Sequence, residues 1–391
     1  MIPKGFLFST VEAAIKKPGR KDLALIYSEV EANIAGTFTT NKVKAAPVKL
    51  DIKKIRSGRG QAILINSGNA NACTGKKGMK DAVDMISLVA DSLNIKPSLV
   101  YVCSTGVIGT PMPIERIRPR ISELADNLGR SAIGDVAEAI MTTDTFPKIV
   151  KKKVKMGNKV GCIVGICKGA GMICPDMATM LCFIMTDIAV NQKTLDKTLI
   201  NAVKKSFNRI TIDGDRSTND AALIMANGML GNPQITEKSG AYPAFKKALH
   251  ELTLDLSKLI VKDGEGASKF IEIEVRGARS EADAEKAAFT VANSNLVKTA
   301  IYGNDANWGR IMAALGYSGI ALKEEKIDIY FGKVRIVNKG VSTGKDKEAG
   351  KALRGKDIKI IIDLHIGGSS AKVLTCDLTE EYIRVNAAYR T

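Results

Sequence analysis

The spacing of apolar residues changes along this chain, and that change restricts the fold more than any single motif does. "QAILINSG" (61–68) and "SLVYVCSTG" (98–106) are short apolar runs ending in glycine turns, the pattern of buried strands. Between them Ala82, Met85, Ile86, Val89, Ala90 and Leu93 recur at helical spacing within 80–94. A second helical pattern covers 131–142, and a third runs through Leu195, Leu199, Val203 and Phe207. Pro243 opens a fourth, which carries Phe245, Leu249, Leu252, Leu256 and Ile260 and stops at Asp263-Gly264. The last third alternates instead: "FIEIEVRG" (270–277), "KIDIYFGKVRIV" (326–337) and "DIKIIIDLHIGG" (357–368) put apolar and polar residues on opposite faces, as half-buried antiparallel strands do. Helices are expected over 281–301 and 308–316. Strands in adjacent runs, with helices to cover a face, predict an α+β fold, a layered α/β sandwich, and not a doubly wound parallel sheet. The domains are placed at 1–190 and 241–391, with 191–240 as the transition.

A chain of 391 residues with 45% apolar content can bury a large core. Its net charge of +17 raises nucleic acid as a partner, but lysines are spread over the whole length and aromatics make up only 5%. A solvated lysine-rich surface that attracts small anionic substrates is the expectation, with no nucleic-acid partner. No apolar run approaches the ~18 residues of a membrane span, and the N-terminal stretch has no signal-peptide core, so no membrane contact and a cytoplasmic location are expected. The seven cysteines form no C-x-x-C pair and histidine occurs only twice, which argues against structural zinc and against disulfides.

The usual nucleophile systems are poorly supported. His250 and His365 both fall on polar faces, which weakens any Ser-His-Asp or Cys-His reading. "DGDRSTND" (213–220) imitates the start of a calcium loop, but Thr218 stands where the turn glycine is required and Ile224 where the bidentate glutamate belongs. Neither a Walker A sequence nor G-x-G-x-x-G is present. What remains is a hydroxyl that needs no histidine. In "KGAGMICPDMATMLCFIMTDIAV" (168–190) a glycine- and proline-punctuated loop meets an apolar strand at Thr179. A threonine at a new chain terminus can use its own α-amino group, with pKa near ~8, as the base for its hydroxyl. That requires cleavage between Ala178 and Thr179, and the small Ala178 after a pliant loop suits it. The same residues also fit an ordinary loop-to-strand junction, because threonine is common in strands.

The run "KGAGMICPDMATML" strongly resembles the self-cleavage motif of the glutamate N-acetyltransferase, or ornithine acetyltransferase, family. "PKGF" (3–6), "INSGNANACTG" (65–75), "STGVIG" (104–109), "MTTDTFPK" (141–148), "RITIDGDRSTND" (209–220), "VKDGEGASK" (261–269), "GNDANWGR" (303–310) and "VNAAYRT" (385–391) extend the resemblance over almost the whole chain in the right order. It implies two layered domains similar to self-processing aminopeptidases, cut into chains 1–178 and 179–391 that assemble as two of each. Thr179 would be the nucleophile, and Thr105 with Gly106 the oxyanion hole. Thr142, Lys168, Thr179, Glu265, Asn386 and Thr391 would contact substrate, with Lys168 facing a carboxylate and Glu265 an ammonium. The implied reaction moves an acetyl group from N2-acetyl-L-ornithine to L-glutamate through an acetyl-Thr179 intermediate, without metal or cofactor. Whether acetyl-CoA is also a donor stays open. Asp176 stands where the motif leads one to expect asparagine, a charge able to alter the cleavage rate. Thr391 would bring a terminal carboxylate near the pocket. Two rival readings are a related N-terminal-nucleophile aminopeptidase or amidohydrolase, with water as acceptor, and a basic nucleic-acid-binding protein.

Overall fold

The computed structural model describes residues 2–16, 18–174 and 180–388. Two compact units comprise Met1–Asn208 with Asp215–Ile260, and Arg209–Gly214 with Val261–Thr391. In the first, the strands are β1 (Phe6–Val11), β2 (Leu23–Phe38), β3 (Arg59–Asn69), β4 (Val100–Val107), β5 (Lys148–Met156), β6 (Lys159–Lys168), β7 (Leu181–Thr186) and β8 (Ala221–Ala226). The helices are α1 (Ala46–Lys54), α2 (Gly75–Leu93), α3 (Ile114–Asp126), α4 (Ile133–Ala139), α5 (Gln192–Lys204) and α6 (Tyr242–Lys262).

Strand order is β4-β3-β2-β8-β7-β6-β5, with β1 also paired to β2. The 16-residue β2 organises this sheet. Its register against β3 breaks between Tyr27 and Ala32, where Glu29, Val30 and Glu31 are exposed. Before the break it pairs with β1 and β3; after it, with β8, and at Ala32 and Asn33 still with the start of β3. The sheet thereby folds over on itself. Ala24, Ile26, Ile63, Ile65 and Cys103 from one layer meet Val164, Ile166, Phe183, Leu223 and Met225 from the other in a single core, each large side chain contributing about 1.5–3 kcal/mol on burial. The alternate residues Leu23, Leu25, Leu64 and Val102 turn outward onto Met85 and Val89 of α2 and Ile117 and Ile121 of α3. On the opposite outer face, α6 lies close against β6: a Cβ on Gly165 would sit 2.7 Å from Leu252 Cδ2. The unit is helix, strand layer, strand layer, helix.

The second unit contains β9 (Phe270–Ala278), β10 (Asp328–Phe331), β11 (Val334–Asn338), β12 (Val341–Ser342), β13 (Asp357–Asp363) and β14 (Ser369–Cys376), in the order β12-β11-β10-β13-β9-β14. Its helices are α7 (Glu281–Ala292), α8 (Asn295–Tyr302), α9 (Trp308–Gly316), α10 (Asp346–Ala352) and α11 (Glu380–Ala387). Ile271, Ile273 and Val275 of β9 and Ile358, Ile360 and Ile362 of β13 pack onto the small residues Ala284, Ala287 and Ala288 of α7. Their neighbours point the other way and pair by charge, Lys359 with Glu274 and Lys372 with Glu272, each at 3.1 Å.

The layered α+β expectation describes both units. Four details differ from the sequence reading. β9 and β13, whose alternation suggested antiparallel strands, pair in parallel from Phe270 with Asp357 to Arg276 with Asp363. The helix expected over 281–301 is two helices, because the Ser294 side chain accepts a hydrogen bond from Val297 N (3.4 Å) and starts a new one. The stretch 326–337 is a hairpin turning at Gly332 (φ 58°). The 191–240 segment, expected as a transition, carries α5 and β8, and β8 lies inside the first sheet between β2 and β7. Cys103, Cys162, Cys167, Cys174, Cys182 and Cys376 are buried and Cys73 is exposed. Among the described residues no helix is long and apolar enough to cross a membrane.

Candidate active site

The ends of β3 and β4 run parallel, with Ser67 opposite Thr105 and Gly68 opposite Gly106. Both glycines have positive φ, 101° at Gly68 and 135° at Gly106. A Cβ on Gly106 would lie 2.2 Å from the Gly68 carbonyl carbon, so only glycine fits. The buried Thr105 precedes it in a turn fixed from two sides. Ser104 Oγ donates to Asn66 Oδ1 at 2.5 Å. From the segment before β8, Asn219 Nδ2 donates to the Ser104 carbonyl at 2.8 Å and to that of Ala70 at 2.6 Å. The second strand layer thus clamps a turn belonging to the first.

Lys168 closes β6 and is 2% exposed. Its Nζ donates to Thr142 Oγ1 at 2.6 Å and to Thr105 Oγ1 at 3.3 Å, and lies 3.9 Å from Asp144 Oδ2. Asp144 also accepts from Lys148 Nζ (2.7 Å), Gly169 N (2.6 Å) and Thr142 N (3.0 Å). Burial opposes its ionisation, but the Lys168 and Lys148 ammonium groups and the Gly169 N–H outweigh it and hold the carboxyl down at about 2. Lys16 reaches the same loop, donating to the carbonyls of Ala139 and Met141. Burial pushes its ammonium down to about 8 against the attraction of Asp22, and Lys168 adds to the depression. Thr142, Asp144, Lys16, Arg20 and Glu138 line part of a cavity of about 490 Å³.

Thr179 and Ala178 lie outside the described residues, as does Thr391. The strands on either side of the proposed cut are described. Lys168 of β6 pairs with Leu181 of β7, and Leu181 pairs with Ala221 of β8. Met180 N donates to Asp220 Oδ1 at 3.0 Å, and Ala221 N donates to the Met180 carbonyl at 3.2 Å. The residue after Thr179 is therefore pinned directly beside the partner of Lys168.

In the second unit, Glu265 and Asn386 are brought together: Asn386 Nδ2 donates to Glu265 Oε2 at 2.8 Å and to the Tyr382 carbonyl at 3.0 Å. Gly266 (φ 67°) lets the Glu265 turn approach the start of α11, since a Cβ there would fall 2.5 Å from Tyr382 N. Thr379 Oγ1 closes the turn by donating to the Gly266 carbonyl at 2.7 Å.

Thr105, Gly106, Thr142 and Lys168, named from the motif resemblance, lie in the first unit, where Lys168 contacts both threonines; the sequence reading passed over Asp144, Asn219 and Asp220, which hold the surrounding backbone and charge. The available signal was polar residues set directly against apolar strands: Asp144 shortly before β5, and Asn219-Asp220 immediately before "AALIMA". His250, on α6, and His365, which lies 3.3 Å from Asp328 in the second unit, take no part in these contacts.

An enclosed ammonium held against two hydroxyls at a glycine-only turn suits the stabilisation of a developing oxyanion, and so places the chain among enzymes of acyl chemistry built on layered α/β folds. The chain belongs to the ArgJ family, which it matches over residues 7–391. It is 54% identical to the arginine biosynthesis bifunctional protein ArgJ of Geobacter sulfurreducens, with 99% of each chain covered. The protein of the same description from Caldanaerobacter subterraneus subsp. tengcongensis is 50% identical, covering 100% of this chain and 98% of that one. Among solved structures, the arginine biosynthesis bifunctional protein ArgJ from Bacillus halodurans is 44% identical with a TM-score of 0.51, covering 53% of this chain and 98% of the solved one.

Proposed function

We propose that this enzyme carries out acetyl transfer in arginine biosynthesis, moving the acetyl group of N2-acetyl-L-ornithine to L-glutamate through an ester on Thr179. The observation that carries the reading is the Lys168 contact set, which joins three residues assigned from the family motifs, Thr105, Thr142 and Lys168 itself, within 3.3 Å. Because the Thr105 hydroxyl accepts from Lys168, its own hydrogen is left to point at a tetrahedral oxygen, with the buried ammonium charge behind it. Thr179 attacks the acetyl carbonyl, its α-amino group takes the hydroxyl proton and returns it to the leaving ornithine amine, and the glutamate amine then takes the acetyl group by the reverse sequence. In the second unit, Glu265 with Asn386 supplies a carboxylate for a substrate ammonium, and Thr391 belongs to the same proposal.

The reading includes self-cleavage between Ala178 and Thr179, two copies of each product chain in the assembly, acetyl-CoA as a second donor in line with the relatives' description as bifunctional, and a cytoplasmic location. The coverage figures support the cut: the solved chain from Bacillus halodurans is matched over 98% of its length by 53% of this one, so it is little more than half as long.

Intact mass of the purified protein beside Thr179→Ala tests the reading. Two fragments meeting at 178/179 in the wild type and one chain in the variant are expected. After incubation with acetylornithine alone, the 179–391 fragment should be heavier by one acetyl group, and labelled glutamate should discharge it. An uncut wild type, or a cut one that is never acetylated, refutes the mechanism.

A further inference from the structure

Asp220 is the residue whose surroundings the transfer mechanism leaves unexplained. It is fully buried, with 0% exposure, at the residue before β8. Oδ1 accepts the Met180 N–H at 3.0 Å. Oδ2 is buried and accepts no hydrogen bond of ordinary geometry among the described residues, the Ser217 hydroxyl being the neighbouring group that favours the charged carboxylate. Folded proteins leave few such atoms, and one on a carboxyl group calls for a reason. Its position supplies one. Met180 N is covalently bonded to the carbonyl carbon of Thr179, so the carboxyl group is hydrogen-bonded to the peptide link of the residue that is to be cut and then to react. Asn219, the adjacent residue, holds the Ser104 carbonyl at 2.8 Å, one residue before Thr105. Two consecutive side chains therefore grip the two halves of the site. Burial raises the Asp220 carboxyl well above its ordinary value, with the Met180 N–H, Ser217 and Lys168 opposing, which favours a neutral acid that carries a proton.

We propose that Asp220 is the proton-transfer group of chain cleavage. The step balances without a co-reactant. Thr179 Oγ attacks the Ala178 carbonyl carbon, forming a C–O bond while the C–N bond to Thr179 breaks. The neutral Asp220 gives its Oδ2 proton to the departing nitrogen, and the carboxylate so formed takes the proton lost by the hydroxyl. The product is an ester with a free amine, and water then hydrolyses the ester, freeing the Ala178 carboxylate and restoring the hydroxyl. Acetyl transfer uses the freed amine as its base and has no further need of Asp220, so the role is distinct from the catalytic cycle.

Asp220→Asn tests it, since the amide oxygen still accepts from Met180 N while no proton can be passed on. Cleavage during cell-free synthesis, followed on gels from pH 5 to 9, is expected to slow about 100-fold or more and to lose the wild-type dependence on pH. Hydroxylamine, which cuts esters, should not release fragments from the variant. Cleavage of Asp220→Asn within about threefold of the wild-type rate overturns the proposal, by the scale of general acid–base effects. Cutting of the variant by hydroxylamine also overturns it, because the acyl shift has then occurred without the acid. Thr179→Ala and Thr179→Ala/Asp220→Asn are both uncut, so their urea unfolding compares folding alone: similar midpoints are expected, and a collapsed double variant makes Asp220 a structural residue and refutes the assignment. The proposal rests on the reading of Thr179 as the self-cleaving residue. A wild type that is never cut overturns both, whereas a cut wild type with an equally fast Asp220→Asn overturns this one only.

Discussion

Asp144 gives the sharpest test of how the site is held together. Its side chain is fully buried, it lies 2.7 Å from Lys148 Nζ and 3.9 Å from Lys168 Nζ, and it accepts two backbone N–H groups. Asp144→Ala removes the carboxylate from beside two buried ammonium groups, and breaking a buried ion pair from one side costs about 3–5 kcal/mol. Part of that contribution depends on pH and can be worked out separately. The carboxyl titrates at about 2 in the folded chain and at ~3.9 unfolded, a difference equivalent to ~2.6 kcal/mol. Because the folded value is the lower one, the contribution is complete above about pH 4 and fades as pH falls toward 2. Urea unfolding followed by circular dichroism, in the Thr179→Ala background so that one intact chain is compared, should place Asp144→Ala below its parent by about 3–5 kcal/mol at pH 7. The gap should narrow below pH 4. Asp144→Asn, which keeps an acceptor oxygen, should fall between the two. A loss under about 1 kcal/mol at pH 7, within the range of ordinary surface substitutions, or a gap that stays constant down to pH 2, refutes the claim that this carboxylate neutralises the site.

Two further substitutions separate chemistry from binding. Gly106→Ala must place a methyl group 2.2 Å from the Gly68 carbonyl carbon at a φ of 135°, so the turn shifts and kcat should fall about 100-fold or more, as for loss of an oxyanion donor; kcat within threefold of wild type would remove this turn from the reaction. Glu265→Gln keeps the Asn386 contact region but discharges the carboxylate, and should raise KM for acetylornithine about 10-fold with a smaller effect on kcat, in the range of a charge-assisted hydrogen bond. An unchanged KM for both acetylornithine and glutamate would exclude Glu265 from the pocket.

How much of this was readable in advance depended on whether the signal was local. Helical spacing placed α5 and α6, and simple alternation placed β9 and β13, because each is one element with one buried face. The fold-over of the first sheet was not readable. In "LALIYSEVEANIAGTF" the polar "SEVE" reads as the end of a strand, whereas β2 continues through it with Ser28 buried and Glu29, Val30 and Glu31 exposed at the bend. The transition placed at 191–240 had a similar origin, since "AALIMA" is short, uniformly apolar and without periodicity, and its central place in the sheet is fixed by partners distant in sequence. At the site, motif resemblance named the residues that would touch substrate, but the charges that hold them were invisible. Asp144 and Asp220 look like any other acidic residues in a charged chain, and only the folded layers reveal that both are enclosed.

The same layering determines what a cut before Thr179 can and cannot change. It falls in the connection between β6 and β7, leaving β6 in the first product and β7 and β8 in the second. Those strands are neighbours along six residue pairs, from Ile163 with Thr186 to Lys168 with Leu181. β8 is likewise held by β2, from Asn33 with Ala226 to Phe38 with Ala221. The strands of the second product are thus interior to a sheet whose edges belong to the first, and their side chains Phe183, Met185, Leu223 and Met225 lie in its core. Dissociation would require extracting two central strands, exposing that core and leaving ladder hydrogen bonds unpaired on both sides, which amounts to unfolding the unit. The two products should therefore co-elute through any non-denaturing purification and separate only in denaturant. Cleavage alters the chemistry of one peptide link, turning its nitrogen into a basic amine beside a hydroxyl and its carbonyl into a carboxylate, while the strand pairing that fixes Met180 and Lys168 remains as it was.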